Sequence, residues 1–235
     1  MKAMILAAGL GTRMRPITNS MPKALVVVDG KPLLQQALEH VKRYGIGDVI
    51  INVHHFPGLI VDFLRGHDNF GLEITISDES DELLETGGGV KKASWFFNDG
   101  EPFLVRNVDV ISDLDLSQMA RIHTATHPLA TLAVRDRETS RYFLFDEQVN
   151  LCGWENRKTG ERRICREIVK ERPLAFSGIQ ILQPELFPLI TEEGKFSLTE
   201  LYLRLAGEHL IRGYLDSGSV WRDIGKVESS YTIIH

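Results

Sequence analysis

The stretch ILAAGLGTRMRP, residues 5–16, joins a short apolar run to a loop that carries two glycines and two arginines. The segment KAMILAA, residues 2–8, is continuously apolar after its lysine, which predicts a strand buried on both faces of a parallel sheet. The loop lacks the third glycine of a dinucleotide fingerprint, because Met14 stands there, and it lacks the Gly-Lys-Ser/Thr ending of a Walker-type loop. It therefore predicts a turn whose free N–H groups bind an anion.

Cationic side chains accompany this loop. Arg13 and Arg15 lie within it, Pro16 ends it, and Lys23 follows on the same lobe. This arrangement suits a triphosphate that loses pyrophosphate, because fixed positive charge stabilises the charge that grows on the leaving group. The alternative is a tight strand-to-helix connection whose arginines are simply solvated.

Composition limits the class of protein. The chain has 235 residues, 43% of them apolar, and a net charge of -5, which is typical of one globular domain or two closely packed halves. An acidic balance argues against a nucleic-acid partner, and no apolar run is long enough to cross a membrane. The short apolar start is interrupted at Gly9 and is not typical of a signal peptide, so we expect a cytoplasmic protein. Cys152 and Cys165 flank a predicted turn and are expected to be reduced thiols, although they can face each other.

Strand-like and helix-like segments alternate up to about residue 112. The helix-like segments are residues 32–45, residues 59–66 and a segment that follows the glycine turn TGGG at residues 86–89. Alternation of this kind predicts a parallel α/β sheet, whose ligands bind at the carboxyl ends of the strands. After about residue 113 the pattern changes to mostly antiparallel strands, with one helix across residues 197–209 and a final strand and turn across residues 219–234.

The glycine loop and the residues that follow it resemble a known family. The segment LAAGLGTRMRPITNSMPKAL, residues 6–25, is similar to the Gly-x-Gly-Thr-Arg and Pro-Lys pattern of the sugar-nucleotidyltransferase superfamily, and the similarity extends to WRDIG at residues 221–225. LETGGGVKKA and FSGIQIL most resemble N-acetylmuramate-1-phosphate uridylyltransferases, with mannose-1-phosphate guanylyltransferases next. The resemblance implies a Rossmann-like fold with a mostly parallel central sheet, helices on both faces and a smaller, partly antiparallel half. It implies one domain over residues 1–235, with a nucleotide-binding half up to about residue 112 and a sugar-binding half after it.

The same resemblance implies a reaction and its residues. A nucleoside triphosphate and a sugar 1-phosphate would give a nucleoside diphosphate sugar and pyrophosphate, with Arg13 and Lys23 as the catalytic cations. The phosphates and nucleoside would contact Ala8, Gly9, Gly11 and Thr12. No general base is expected, because the attacking phosphate is already ionised.

Such a reaction brings several negatively charged phosphate groups together, and their charge is usually neutralised by Mg²⁺ bound to one or two carboxylates. Asp109 ends the strand FLVRNVDV and Asp223 precedes a glycine turn, and the resemblance assigns both to the metal. The alternative for Asp109 is a turn-capping aspartate. The family commonly has Asn-Gly-Asp where this chain has Asn107-Val108-Asp109, and the preceding Arg106 needs a partner or a phosphate.

The resemblance assigns the remaining contacts to further segments of both halves. Glu79 is expected to accept a hydrogen bond from the base, unless it belongs to a solvated acidic loop with Asp81 and Glu82. Base, ribose and sugar contacts are assigned to other residues of these segments: Glu85, Thr86 and Gly88 for the nucleoside, and Asn107, Glu171 and Gly178 for the sugar. Adjacent His54 and His55 point to opposite faces of a strand, so they predict packing rather than a metal site.

Three functions remain open. The first is a Mg²⁺-dependent transferase that takes UTP and N-acetylmuramate 1-phosphate, or GTP with mannose or heptose 1-phosphate, as a monomer or small homo-oligomer. The second is a regulatory module that binds a nucleotide sugar without catalysis. The third, a cytidylyltransferase for choline phosphate, requires an aromatic cage, to which Trp154 and Trp221 are the candidates.

Overall fold

The computed structural model describes residues 1–225. Its strands are, in chain order, β1 (Ala3–Leu6), β2 (Val27–Val28), β3 (Lys31–Pro32), β4 (Asp48–Val53), β5 (Glu73–Asp78), β6 (Phe103–Asn107), β7 (Val110–Ser112), β8 (Ala130–Arg135), β9 (Arg141–Phe145), β10 (Leu151–Asn156), β11 (Glu161–Ile164), β12 (Arg172–Leu182), β13 (Ile211–Leu215) and β14 (Trp221–Asp223). Its α-helices are α1 (Leu33–Arg43), α2 (Pro57–Gly66), α3 (Glu85–Lys92), α4 (Leu116–Thr126) and α5 (Leu198–Leu205).

The first half of the chain forms the parallel part of the main sheet. Strands β5, β4, β1 and β6 lie side by side in that order and are all parallel. The chain moves outward from β1 through β4 to β5 and then returns to the other side of β1 to form β6. The strand order therefore reverses between β1 and β6, and a crevice opens at their carboxyl ends, where α/β sheets bind ligands.

Helices cover both faces of this sheet, as predicted. Side chains of a strand alternate between faces, and in β1 Ala3 and Ile5 join one buried cluster while Met4 joins the other. The first cluster includes apolar residues of α1, α2 and α4, and the second includes those of α3 and α5. The continuous apolar run of β1 is thus explained by burial on both faces, and the prediction of an α/β fold is confirmed.

The second half extends the same sheet with antiparallel strands. β12 pairs antiparallel with β6, and it also pairs with β8 and β9, from which β10 and β11 continue. β13 adds one more parallel pair beside β8. The two predicted halves therefore share one continuous hydrogen-bonded sheet, and β12 joins them.

Two local predictions are wrong in detail, and one falls partly outside the described residues. The sequence pattern did not predict helix α4, where Asp115 caps the first turn by accepting a hydrogen bond from the Gln118 N–H. The glycines predicted as a turn before a helix lie inside α3. The predicted final strand begins as β14, and its continuation past residue 225 lies outside the described residues.

Two further observations concern membrane spans and the cysteines. Among residues 1–225, no helix is long and apolar enough to cross a bilayer. Cys152 and Cys165 are neighbours across β10 and the end of β11, where the Cys165 N–H donates to the Cys152 carbonyl, and both thiols are free.

Close packing explains why glycines occupy α3. A Cβ on Gly88 would lie 2.4 Å from the carbonyl oxygen of Gly194, and one on Gly87 would lie 2.4 Å from the ring of Phe196. The Phe196 carbonyl accepts hydrogen bonds from the N–H groups of both glycines, which gives two N–H groups of the helix's first turn an acceptor. Segment 194–196 therefore packs directly on the helix backbone, and only glycine leaves room for it.

We expect Gly88→Ala to destabilise the protein by about 1–3 kcal/mol, because the added methyl group meets a backbone carbonyl that cannot rotate away. Gly58→Ala is the matched control, since Gly58 also lies in a helix but a methyl group added there would enter open space. The control substitution should be neutral or stabilising by up to about 1 kcal/mol, as alanine is the better helix former. Urea unfolding of both variants measures the difference, and equal effects would contradict the packing explanation.

Candidate active site

A cavity of about 540 Å³ opens where β1 and β6 end. Its volume lies in the range of small-molecule sites, about 300–1,000 Å³. Residues from three segments line it, namely the loop after β1, the start of α3 and the turn after β6, joined by single residues from elsewhere: Leu6, Ala7, Ala8, Gly9, Leu10, Gly11, Thr12, Arg13, Lys23, Asn52, Leu83, Glu85, Thr86, Asn107, Val108, Asp109, Arg141, Ser197 and Gly225. The structure therefore brings together most of the residues that the sequence analysis selected.

The glycine loop has a defined shape. Gly11 has a φ of +61°, and a Cβ there would lie 2.8 Å from the side chain of Thr18, so glycine is required on both counts. The Gly11 carbonyl accepts the Thr18 hydroxyl at 2.9 Å and the Met14 N–H at 2.8 Å, while the Met14 side chain is buried in the core. These contacts hold Ala8, Gly9 and Thr12 on the cavity wall and leave the Arg13 side chain exposed.

Lys23 and Asp109 form an ion pair on the cavity wall. Lys23 is only 7% exposed, and Asp109 lies in the turn that leads from β6 to β7. The sequence analysis expected Lys23 to reach phosphates and Asp109 to hold a metal, and the structure places the two groups in direct contact. A cation therefore already lies against the Asp109 carboxylate, as a metal ion would.

The second carboxylate lies on a neighbouring strand. β14 pairs antiparallel with β7 and places Asp223 opposite Val110, and the Ile224 N–H donates to the Asp109 carbonyl at 2.9 Å. The Asp223 side chain is exposed and accepts the Gly225 N–H at 2.7 Å. A Cβ on Gly225 would lie within 3.1 Å of the Arg13 guanidinium, so this segment borders the glycine loop.

These two carboxylates fit Mg²⁺ in their chemistry. Mg²⁺ takes oxygen ligands and is usually bound by one or two carboxylates, with water and substrate phosphates completing its shell. Across the described part of the chain, no group of three or more His, Cys, Asp or Glu side chains is placed to hold a metal. His54 instead contacts the Glu79 carbonyl at 2.6 Å, and the His55 ring lies tilted against Phe56, with 4.1 Å between the ring centroids.

A buried pair of side chains supports the turn that presents Asp109. Arg106 is 1% exposed and donates to the Val110 carbonyl and, at 2.6 Å, to Nδ1 of His40. Because Nδ1 accepts, the proton of His40 is on Nε2, which donates to the Leu114 carbonyl at 3.0 Å. Burial, aided by the Arg106 charge, lowers the pKa of His40 to about 3, and burial lowers the pKa of Arg106 to about 10. His40 is therefore neutral and serves as the partner that Arg106 requires.

The sequence analysis did not identify His40, although one pattern could have indicated it. His40 shares the buried face of α1 with Ala37 and Val41, so helical periodicity places it in the core. A buried histidine on a helix and a buried arginine on a strand each need a polar partner. Nothing local in either segment shows that the two side chains meet.

Glu79 does not occupy the position that the sequence analysis predicted. It is fully buried and is absent from the residues that line the cavity, so the predicted direct contact with the base does not fit. Its Oε1 accepts from Asn52 at 2.7 Å and its Oε2 accepts from the Leu84 N–H at 3.2 Å. Asn52 in turn accepts the Ala7 N–H at 2.7 Å. Glu79 therefore ties the glycine loop to the start of α3 from behind, and burial raises the pKa of its carboxyl.

Of the other residues predicted to contact the nucleoside, some line the cavity and one lies behind its wall. Glu85 and Thr86 line the cavity, whereas Gly88 is buried behind them in α3. Glu85 has a φ of +59°, a conformation that costs free energy in residues other than glycine and is common at functional sites. The Thr86 hydroxyl accepts the Leu198 N–H at 2.9 Å, which fixes its oxygen while its proton stays available to a ligand.

The three residues predicted to contact the sugar also occupy different positions relative to the cavity. Asn107 lines the cavity, and Gly178 packs behind it, where a Cβ on Gly178 would lie 3.1 Å from the Asn107 amide. Gly178 lies where the pairing of β12 with β8 shifts register, with a φ of +76°. Glu171 does not reach the cavity, because its exposed carboxylate pairs with Arg162. The sugar contact assigned to Glu171 is therefore wrong in this arrangement.

Comparisons with known proteins show the family and the fold of the chain. The family model described as "Nucleotidyl transferase" matches residues 2–149. The N-acetylmuramate alpha-1-phosphate uridylyltransferase of Caulobacter vibrioides is 34% identical over 95% of this chain and 91% of its own length. The mannose-1-phosphate guanyltransferase of Yarrowia lipolytica is 31% identical over 96% of this chain, which spans 61% of that protein. The solved structure of HddC from Yersinia pseudotuberculosis, complexed with GMP-PN, has a TM-score of 0.77 and 21% identity over 95% of this chain and 93% of its own.

We expect Glu79→Ala to destabilise the fold by about 2–4 kcal/mol, because it leaves the Asn52 amide and the Leu84 N–H buried without an acceptor. Nucleotide affinity should fall as well, since the two cavity walls lose their link. Glu82→Ala is the matched control on the same acidic segment, where the side chain is exposed, and it should change stability by less than about 0.5 kcal/mol. Urea unfolding and nucleotide titration measure both effects, and similar results for the two variants would support the solvated-loop alternative.

Proposed function

Because the chain belongs to the nucleotidyl transferase family and is a sugar-1-phosphate nucleotidyltransferase, we propose that it transfers a uridylyl group from UTP to N-acetylmuramate 1-phosphate in a Mg²⁺-dependent reaction. The observation that carries this proposal is the Lys23–Asp109 pair, which lies beside the glycine loop at the switch point of the sheet. This site provides anion-binding N–H groups, cations and a carboxylate within one cavity. A regulatory module that had lost catalysis would not need all of them.

The proposed reaction has one chemical step. An oxygen of the sugar 1-phosphate attacks the α-phosphorus of UTP, the new P–O bond forms, and the bond to the β-phosphate oxygen breaks to release pyrophosphate. The N–H groups of residues 8–12 and the side chains of Arg13 and Lys23 stabilise the charge on the phosphates. Mg²⁺, held by Asp109 and Asp223, would neutralise further phosphate charge. Positioning and charge stabilisation supply most of the rate, as in phosphoryl transfer generally.

The choice of UTP rests on the relatives and on the remaining wall of the cavity. The Caulobacter vibrioides protein, named as a uridylyltransferase for N-acetylmuramate 1-phosphate, aligns over most of both chains. Since Glu79 is occupied behind the wall, the base contacts Leu83, Glu85 and Thr86 instead. The second candidate is GTP with mannose or heptose 1-phosphate, which the guanyltransferase of Yarrowia lipolytica supports for mannose.

The choline-phosphate alternative loses support. Arg137 stacks on Trp221 at 4.2 Å and Arg163 lies over Trp154 at 5.1 Å, so each ring already contacts a cation of the protein itself. The two rings therefore do not form a free aromatic cage.

We place the proposed reaction in the cytoplasm, without nucleic-acid or membrane partners. The enzyme that carries it out is proposed to be a monomer or a small homo-oligomer.

The substrates can be identified by pyrophosphate release. We would cross UTP, GTP, CTP and dTTP, with Mg²⁺, against a panel of sugar 1-phosphates and phosphocholine. Turnover restricted to UTP and N-acetylmuramate 1-phosphate is the expected result. Turnover with GTP and mannose or heptose 1-phosphate would keep the mechanism and replace the substrates. A folded protein that binds nucleotide but releases no pyrophosphate with any pair would favour the regulatory module.

Replacing Asp109 by asparagine should lower kcat at least about 100-fold, because the amide keeps the size of the side chain but removes the charge that holds the metal and orients Lys23. Asp62→Asn, an exposed position on α2, is the control and should leave turnover unchanged. Initial rates over a range of Mg²⁺ concentrations provide the measurement. Full turnover in Asp109→Asn would exclude Asp109 as a metal ligand.

A further inference from the structure

The charged side chains on the cavity wall are not all paired. Five line it, and two of them, Lys23 and Asp109, neutralise each other. Glu85 pairs with Lys195 at 3.5 Å. Within residues 1–225, the guanidinium groups of Arg13 and Arg141 have no hydrogen bond or ion pair with another side chain or backbone group. The cavity is therefore left with two free cations.

These two cations come from different halves of the chain. Arg13 belongs to the glycine loop of the first half, whereas Arg141 is the first residue of β9 in the second half. β9 runs antiparallel to β12, with Phe143 opposite Leu174, so Arg141 lies toward the stretch of β12 that contains Gly178. Gly178 packs against Asn107, the predicted sugar residue on the cavity wall. Arg141 thus approaches the cavity from the side assigned to the sugar.

The lack of a partner distinguishes Arg141 from most other arginines of the second half. Six of those side chains are held by a carboxylate or a carbonyl group: Arg135 by Asp216, Arg157 by Glu155, Arg162 by Glu171, Arg163 by Glu200, Arg204 by Glu192 and Arg212 by the Gln148 carbonyl. Those pairs fix the surface of the fold. Arg141 contributes to no such pair within the described residues, and it is the second-half arginine that lines the cavity.

We propose that Arg141 binds an anionic group of the sugar 1-phosphate, a role that rests on the proposed function. Two anionic substrates must occupy the cavity, and the glycine loop with Arg13 and Lys23 serves the triphosphate. A planar guanidinium with five N–H donors matches a phosphate or a carboxylate with two parallel hydrogen bonds. The anion is either the 1-phosphate, which every sugar 1-phosphate carries, or the lactyl carboxylate that N-acetylmuramate carries in addition.

The test uses Arg141→Ala and Arg141→Lys with saturating nucleotide. Loss of a charge-assisted contact should raise KM for the sugar 1-phosphate about 10- to 100-fold in the alanine variant, with a smaller rise in the lysine variant. KM for the nucleotide should stay within about twofold of the original value, a separation that general misfolding would not produce. Arg65→Ala, at an exposed arginine of α2 outside the cavity, is the matched control and should leave both KM values unchanged.

Two acceptors identify the anion. N-acetylglucosamine 1-phosphate has the 1-phosphate but no lactyl carboxylate. If Arg141 binds the phosphate, the dissociation constants of both sugar 1-phosphates, measured by calorimetric titration, rise in Arg141→Ala. If Arg141 binds the carboxylate, the dissociation constant rises for N-acetylmuramate 1-phosphate alone. Unchanged dissociation constants for both sugar 1-phosphates, or a rise in KM for the nucleotide instead, would overturn the proposal.

Calorimetric titration with each sugar 1-phosphate separates this proposal from the proposed function. If the unmodified protein shows no turnover but binds a sugar 1-phosphate, and Arg141→Ala weakens that binding, the proposed reaction fails and the role of Arg141 stands. If the unmodified protein is active and Arg141→Ala binds both sugar 1-phosphates and turns over N-acetylmuramate 1-phosphate normally, the reaction stands and the role of Arg141 fails. Absence of any sugar-phosphate binding by the unmodified protein would overturn both.

Discussion

The parallel pairing of β1 with β6 is the constraint on which the site depends. It places Leu6 beside Asn107, so that the glycine loop and the turn with Asp109 leave the sheet next to each other. The Lys23–Asp109 ion pair then joins two segments that are 86 residues apart in sequence. Because the strand order reverses at this point, the connections lead away from the crevice, which leaves the ends of both strands open to a ligand.

Two buried polar networks hold the walls of that crevice from behind. One connects α1 through His40 and Arg106 to the turn after β6. The other connects the N–H of Ala7 through Asn52 and Glu79 to the start of α3. Hydrogen bonds are strong in a buried environment, and an unpaired group there is costly, so each network favours one arrangement of its loops. Loops that would otherwise be mobile are thus fixed by groups that do not themselves line the cavity, except Asn52 and Ala7.

The sequence predicted what depends on neighbouring residues and missed what depends on distant ones. The strand β1, the glycine loop and the α/β class follow from local apolar patterns and turn residues, which is why they were predicted. The fully buried position of Glu79 depends on residues 52 and 84, and no local pattern distinguishes it from the exposed Asp81 and Glu82 beside it. The glycines of α3 resemble a turn because glycine disfavours helices, but the close approach of segment 194–196 outweighs that preference.

The sequence also does not show whether Glu171 or Arg141 reaches the side of the cavity that we propose for the sugar. Both are charged residues near a strand end, but Arg141 at the start of β9 lines the cavity, whereas Glu171 just before β12 pairs with Arg162. This antiparallel half joins the parallel half only through β12 in the main sheet of residues 1–225, so its hairpins can differ in length and side chains without disturbing β1, β6 or the loops after them. In the proposed reaction, the glycine loop, Lys23 and Asp109 of the parallel half act on the phosphates together with Asp223 of β14, and the hairpins of the antiparallel half are free to define the acceptor. A substitution of the cation at the start of β9 can therefore change the choice of acceptor while the residues that act on the triphosphate stay in place.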